Sequence, residues 1–155
     1  MNEFPLPSAA DATASLVRSV RRIAQAIDVR SREISRLTGL TLPQLLVLQS
    51  IRNLGEVSTR AISRDVSMSP PTVVAVLDRL EARELIVRYR STTDRRIVHA
   101  RLTEAGQQAL AESPGLLHAD VLKRLALLSP EKRRQIAGAV SALADLMAPP
   151  IPEIG

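Results

Sequence analysis

The stretch Ser69-Pro70-Pro71-Thr72-Val73-Val74-Ala75-Val76-Leu77-Asp78-Arg79-Leu80 limits the possible folds more than any other part of the chain. Val73, Val76, Leu77 and Leu80 recur at i, i+3, i+4 and i+7, so the segment reads as a helix with one apolar stripe. Ser69 suits an N-cap, and Pro70 at the first helical position gives up an N–H that has no intrahelical partner there. Once the stripe is buried, Ser69, Pro70, Pro71, Thr72, Ala75, Asp78, Arg79 and Ala82 face outward. Upstream, Ser58 opens a shorter pattern with Ala61, Ile62 and Val66 on one face, and only Ser67-Met68 joins the two helices. Downstream, Ile86–Arg90 and Ile97–Leu102 are β-prone runs around the polar tip Ser91–Arg95. Helix, tight joint, helix and hairpin in that order predict a winged helix-turn-helix, a scaffold that sets its second helix into a DNA major groove.

The charge pattern agrees. Lys+Arg number 21 against 16 Asp+Glu, a formal net charge of +5 in 155 residues. The excess is arginine, with lysine only at Lys123 and Lys132, and GC-rich codon usage explains an overall arginine excess as readily as a polyanionic partner does. Placement says more. Arg79, Arg83, Arg88, Arg90, Arg95, Arg96 and Arg101 crowd around the wing against only Glu81, Glu84 and Asp94, the footprint that phosphate contacts require. Phe4 and Tyr89 are the only aromatic residues, which leaves no platform for stacking single-stranded bases, so double-stranded DNA is the expected partner. The absence of cysteine excludes disulfides and thiolate zinc sites. Met1–Asp11 is polar and punctuated by proline rather than built like a signal peptide, and no apolar run is long enough to cross a bilayer. A soluble cytoplasmic protein with no membrane partner is expected.

Helical patterns flank this centre. Residues 1–11 are expected to be disordered, and a first helix to span 12–40 with Leu16, Val20, Ile23, Ile27, Ile34 and Leu37 in a near-heptad interrupted by Arg30. Thr41 and Gln44 form a capping box with Leu40 and Leu45 as its hydrophobic staple, opening the winged region 41–102. Thr103 caps another helix, which Pro114-Gly115 should break, and the pattern resumes through Val121, Leu122 and Leu125. Ser129-Pro130-Glu131 starts a last helix carrying Ile136, Val140, Leu143 and Met147, so 103–148 reads as a C-terminal helical region and 149–155 as a tail. The fold class is mainly α with a small β-hairpin wing. The outer stripes either fold back onto the winged domain or pack against a second copy. Arg30, which breaks a seam that a monomer would bury more easily, favours the second copy.

Gly39-Leu40-Thr41-Leu42-Pro43-Gln44-Leu45, Val66–Leu80 with Leu85-Ile86, Asp94-Arg95-Arg96 and Leu102-Thr103-Glu104-Ala105-Gly106 resemble the MarR family of bacterial transcriptional regulators. The resemblance implies a homodimer, with 12–40 and 103–148 as dimerisation helices, in which each subunit presents one winged helix to a palindromic operator. It implies a repressor that lets go on binding a small organic effector, often an aromatic or phenolic acid, between the dimer lobe and the winged helix. It maps Ser69, Pro70, Pro71 and Thr72 onto the start of the recognition helix, and Asp94, Arg95 and Arg96 onto the wing, where arginine enters the minor groove. Glu84 departs from the pattern, because the family commonly has glycine there.

Of the outward groups, Ser69, Thr72 and Arg79 are the polar candidates for reading bases, with Arg79 equally suited to clamp a phosphate. Pro70, Pro71 and Ala75 offer apolar contact to thymine methyls, although the proline pair also serves simply to fix the helix start. In the wing, Arg90, Asp94, Arg95 and Arg96 are the candidate DNA-binding residues. Asp94 would repel phosphate directly, so it either orients Arg96 or another arginine through a charge-assisted pair or acts as a turn former. An enzyme is not expected: His99 and His118 belong to no catalytic motif, and there is no phosphate-binding or dinucleotide-binding loop. His118 with Asp120 or Glu112 falls short of a metal site, so no metal and no cofactor are expected. The effector-binding residues stay unassigned, Arg18, Arg21, Arg22 and Arg36 being as readily solvated surface. The alternative reading is a winged-helix protein-interaction module that never touches DNA.

Overall fold

Hydroxyl side chains set most of the helix starts in the computed structural model, which describes residues 8–148. The Asp11 N–H donates to Ser8 Oγ at the start of helix α1 (Ala9–Thr38). The helix thus begins ahead of Ala12, and Ala9–Asp11 are helical rather than disordered; the expectations for residues 1–7 and 149–155 lie outside the described residues. Thr41 opens α2 (Leu42–Leu54) through the full capping box: its N–H donates to Gln44 Oε1 at 3.0 Å, and the Gln44 N–H donates to Thr41 Oγ1 at 3.4 Å. Leu40 and Leu45 beside it are both buried.

Strand β1 (Val57–Ser58), α3 (Thr59–Val66), α4 (Pro70–Ala82), β2 (Ile86–Arg90) and β3 (Val98–Leu102) complete the winged helix. The sheet order is β1-β3-β2, antiparallel, with Val57 opposite Ala100 and Arg90 opposite Val98. The first strand was not expected, and it turns the hairpin into a three-stranded sheet. Beneath it, Leu48, Ile51, Ile62, Val73, Leu77 and Leu80 form the centre of the core at 2 % exposure or less, each contributing about 2 kcal/mol of burial. Among them are three of the four residues of the apolar stripe; the fourth, Val76, is buried as well.

Helix α4 ends on Glu84, whose φ of 58° lies in the left-handed region where glycine is favoured. The Glu84 N–H donates to Glu81 O at 2.9 Å and the Leu85 N–H to Leu80 O at 3.0 Å, the paired bonds of a Schellman ending. Thr103 Oγ1 adds a bond to the Glu84 carbonyl at 2.7 Å. The usual loop geometry therefore survives without glycine, at a backbone cost of about 1–2 kcal/mol.

Helix α5 (Glu104–Glu112) is capped by Thr103, whose Oγ1 accepts from the Gly106 N–H at 3.1 Å. Gly106 is buried against the Leu85 carbonyl, and Leu110 joins the core. One compact unit runs to Leu116 and includes α5, which packs against α2 and β3. Arg30 also differs from expectation. Its side chain is only 12 % exposed, pairs with Glu33 at 2.6 Å and donates from Nε to Gly115 O at 3.0 Å, so it fastens the Pro-Gly break instead of interrupting a seam. The second unit, from Leu117, holds α6 (Ala119–Leu127) and α7 (Pro130–Met147) and has no buried residue among those described.

Candidate nucleic-acid interface

The joint between α3 and α4 is built to present the start of α4. Ser67 turns the chain with a left-handed φ of 54°, and the Met68 N–H donates to Ser63 O at 3.2 Å. The Ser63 hydroxyl returns a bond to the Met68 carbonyl. Ser69, Pro70, Pro71, Thr72, Ala75 and Arg79 are all exposed, as is Val74, which sequence reasoning passed over although its place off the apolar stripe points it outward. Ser69 occupies the N-cap without capping. Its hydroxyl and the Thr72 hydroxyl share a hydrogen bond at 2.8 Å; Pro70 and Pro71 carry no N–H, so in the first turn of α4 only the Thr72 N–H is left without a side-chain cap. That single N–H, at the positive end of the helix, is a donor placed to reach a phosphate oxygen.

Farther along α4, Asp78 and Glu81 would repel a phosphate backbone. Arg88 of β2 neutralises much of that charge. Its Nη2 donates to Asp78 Oδ1 and to Glu81 Oε2, both at 2.6 Å, and its Nε and backbone N–H reach Glu81 at 3.1 and 3.3 Å. The hydrogen bonds from Arg88 hold the Glu81 carboxyl below its ordinary pKa, and the same pairing pushes Arg88 up. Arg88 therefore belongs to the helix–wing joint rather than to the free positive charge of the wing. Its part was hidden in the sequence because the partners meet only after the strand turns back on the helix.

The tip of the wing is tied from within. Buried Ser91 accepts from the N–H groups of Thr93 and Asp94 at 3.3 Å, while its own N–H donates to Ile97 O at 2.8 Å. Arg90 donates from Nη1 to the Arg95 carbonyl at 3.0 Å. Asp94 does two things at once: Oδ1 accepts from the Arg96 N–H at 3.0 Å, which closes the turn, and from Arg96 Nε at 3.1 Å, which holds the guanidinium. Those bonds depress the Asp94 pKa. The Arg95 side chain has no hydrogen bond or ion pair among the described residues, and neither has Arg79. The arrangement holds Arg96 and leaves Arg95 exposed and unpaired beside it. At the back of the wing, Arg101 lies 5.7 Å from the Tyr89 ring centre. The buried Tyr89 hydroxyl makes no hydrogen bond of ordinary geometry, yet nearby Glu56 pushes its pKa up. His118 accepts from the Asp120 N–H at the start of α6, and no group of three or more acidic or histidine side chains among the described residues could hold a metal ion.

The model of the MarR family matches residues 40–98, from the capping box through the wing. The HTH-type transcriptional repressor MdtR of Bacillus subtilis is 30% identical over 127 residues, 82% of each chain. The chain belongs to the MarR family. Two solved structures share the fold. That of Bordetella bronchiseptica BpsR, whose DNA binding is regulated by 6-hydroxynicotinic acid, has a TM-score of 0.67 at 24% identity and covers 84% of this chain and 98% of its own. That of the Streptomyces coelicolor transcriptional regulator PcaV with its natural ligand has a TM-score of 0.68 at 23% identity, covering 94% and 98%. As a MarR protein the chain is a DNA-binding transcriptional regulator with a winged helix, not an enzyme, and the reading as a protein-interaction module that never touches DNA falls. No helix among the described residues is long and apolar enough to cross a membrane.

Proposed function

We propose that this MarR protein acts in the cytoplasm as a homodimeric repressor on a two-fold symmetric operator. In this reading α4 enters the major groove through Ser69, Pro70, Pro71, Thr72, Ala75 and Arg79, and Arg95 enters the adjacent minor groove while Asp94 orients Arg96. The observation that carries the dimer is apolar surface left uncovered at both ends of the chain. Leu16, Val17, Ile23 and Ile27 on α1, and Ile136 and Val140 on α7, are each at least 39% exposed, although the winged helix between them has a closed core. Two subunits with their recognition helices one DNA turn apart, about 34 Å, match a palindrome.

Release by a small aromatic or phenolic acid is the second part of the proposal. The ligand-regulated BpsR and the ligand-bound PcaV support it. Sedimentation of the full chain at micromolar concentration should give twice 16.9 kDa, and a single 16.9 kDa species would overturn the dimer. A thermal-shift screen of aromatic acids should find one that raises Tm and frees a bound duplex; a screen with no such acid would remove the effector from the account.

A further inference from the structure

Burial anchors α1 to the winged helix only near its end. Ile34 and Leu40 are buried in the core, whereas Leu37 between them and Leu16, Val17, Ile23 and Ile27 upstream are exposed. The end itself is finished locally. Gly39 takes a left-handed φ of 69°, its N–H donates to Ser35 O, and Thr38 Oγ1 donates to Ile34 O at 2.7 Å while accepting from the Leu40 N–H at 3.0 Å. None of those bonds leaves the joint. One does: Arg83, the C-cap residue of α4, donates from Nη1 to the Gly39 carbonyl at 2.9 Å across 44 residues of sequence. A guanidinium on the last carbonyls of a helix is also favoured by the helix dipole. The contact therefore fastens the end of α1 directly to the end of the recognition helix.

We infer that Arg83 is a positioning residue that fixes the angle between α1 and α4, and through it the half-site spacing that the protein accepts. The inference rests on the dimer proposed above, in which α1 lies at the two-fold axis. Half of a 30-residue helix is a lever of about 22 Å, and a swing of about 10° at its end moves the reading head by nearly 4 Å, about the 3.4 Å rise of one base pair. A loose joint would let the two heads fit operators one base pair too long or too short. A joint closed by Arg83 would not.

The test uses the full-length protein and a palindromic duplex that it selects from a random pool, together with the same duplex carrying one base pair inserted or removed at its centre. Wild type should lose about tenfold in affinity on both altered duplexes. Arg83→Ala should narrow that loss to about threefold or less with the salt slope unchanged, and Arg83→Lys should restore most of the discrimination. Circular dichroism should be unaltered, since Arg83 is exposed. Equal weakening on all three duplexes with a shallower salt slope would make Arg83 a phosphate contact and overturn the inference, as would undiminished discrimination in Arg83→Ala. Failure of the wild type to select any two-fold symmetric duplex would instead overturn the dimer reading, and this inference with it.

Discussion

Replacing Gly106 by alanine should destabilise the protein, even though alanine is intrinsically the better residue inside α5. A Cβ at Gly106 would stand 2.0 Å from the Leu85 carbonyl oxygen and 3.0 Å from its carbon. That backbone has little freedom to retreat. The Leu85 carbonyl accepts from the Thr103 N–H at 3.1 Å, and the Leu85 N–H donates to Leu80 O at 3.0 Å. Relief must come from α5 moving off by about an ångström, which disturbs the Leu110 contact and the Thr103 bonds that close the recognition-helix ending. Overpacking of this kind costs about 3 kcal/mol at the upper end of its usual range, and the gain in helix propensity returns about 1 kcal/mol, leaving a net loss of about 2 kcal/mol. Gly138 in α7 is the internal control, because a Cβ there meets nothing within 4 Å. Gly138→Ala should gain up to about 1 kcal/mol. Urea denaturation at fixed protein concentration measures both, with m unchanged if the denatured state is unaltered. A Gly106→Ala protein as stable as wild type would show that α5 or the Leu85 backbone yields at little cost.

The wing and the recognition helix should separate by salt dependence. Arg95→Ala should weaken operator binding and reduce the salt slope by about one counterion, whereas Thr72→Ala should alter sequence preference with the slope kept, both read by anisotropy titrations over a range of salt. Asp94→Asn keeps an acceptor for the Arg96 N–H but loses the charged pair, so binding at low salt should weaken about threefold although a negative charge has left the DNA face; tighter binding would show that Asp94 acts only as a turn residue. Carboxyl ¹³C NMR should place the Asp94 midpoint below the ordinary value of about 3.9. A depressed folded pKa means that the pair is complete above the ordinary value and is lost as pH falls through the folded one. Arg96→Ala should move the midpoint back up, and no movement would remove Arg96 as its cause.

The features legible in the sequence were those decided within one helical turn or one hairpin. Thr41 with Gln44, the stripe Val73-Val76-Leu77-Leu80 and the break at Pro114 all rest on neighbours three or four residues apart, so their geometry follows from local spacing alone. What stayed hidden depends on chain returning from a distance. β1 is two residues long, too short for an alternating pattern, and exists only because β3 offers Val57 and Ser58 a partner. Arg83, Arg88 and Arg30 all counted as positive charge or as interruptions, and each proved tied to a partner set by tertiary structure: a carbonyl at Gly39, the carboxylates of Asp78 and Glu81, and Glu33 with the Gly115 carbonyl. Ser69 shows the converse. Its position predicted a cap, but its hydroxyl is paired with that of Thr72, and the Thr72 N–H, the one that remains at the start of α4 after Pro70 and Pro71, has no side-chain cap.

In the proposed complex, two copies of this chain grip one duplex through α4 and the wing. Native mass spectrometry of the full-length protein with its selected palindromic duplex counts the chains on it, and affinities at low and moderate salt report the phosphate contacts. Two chains per duplex are expected, with an affinity that falls steeply with salt, as phosphate contacts from two winged helices require. A complex of one chain per duplex, or an affinity indifferent to salt, would contradict that proposal.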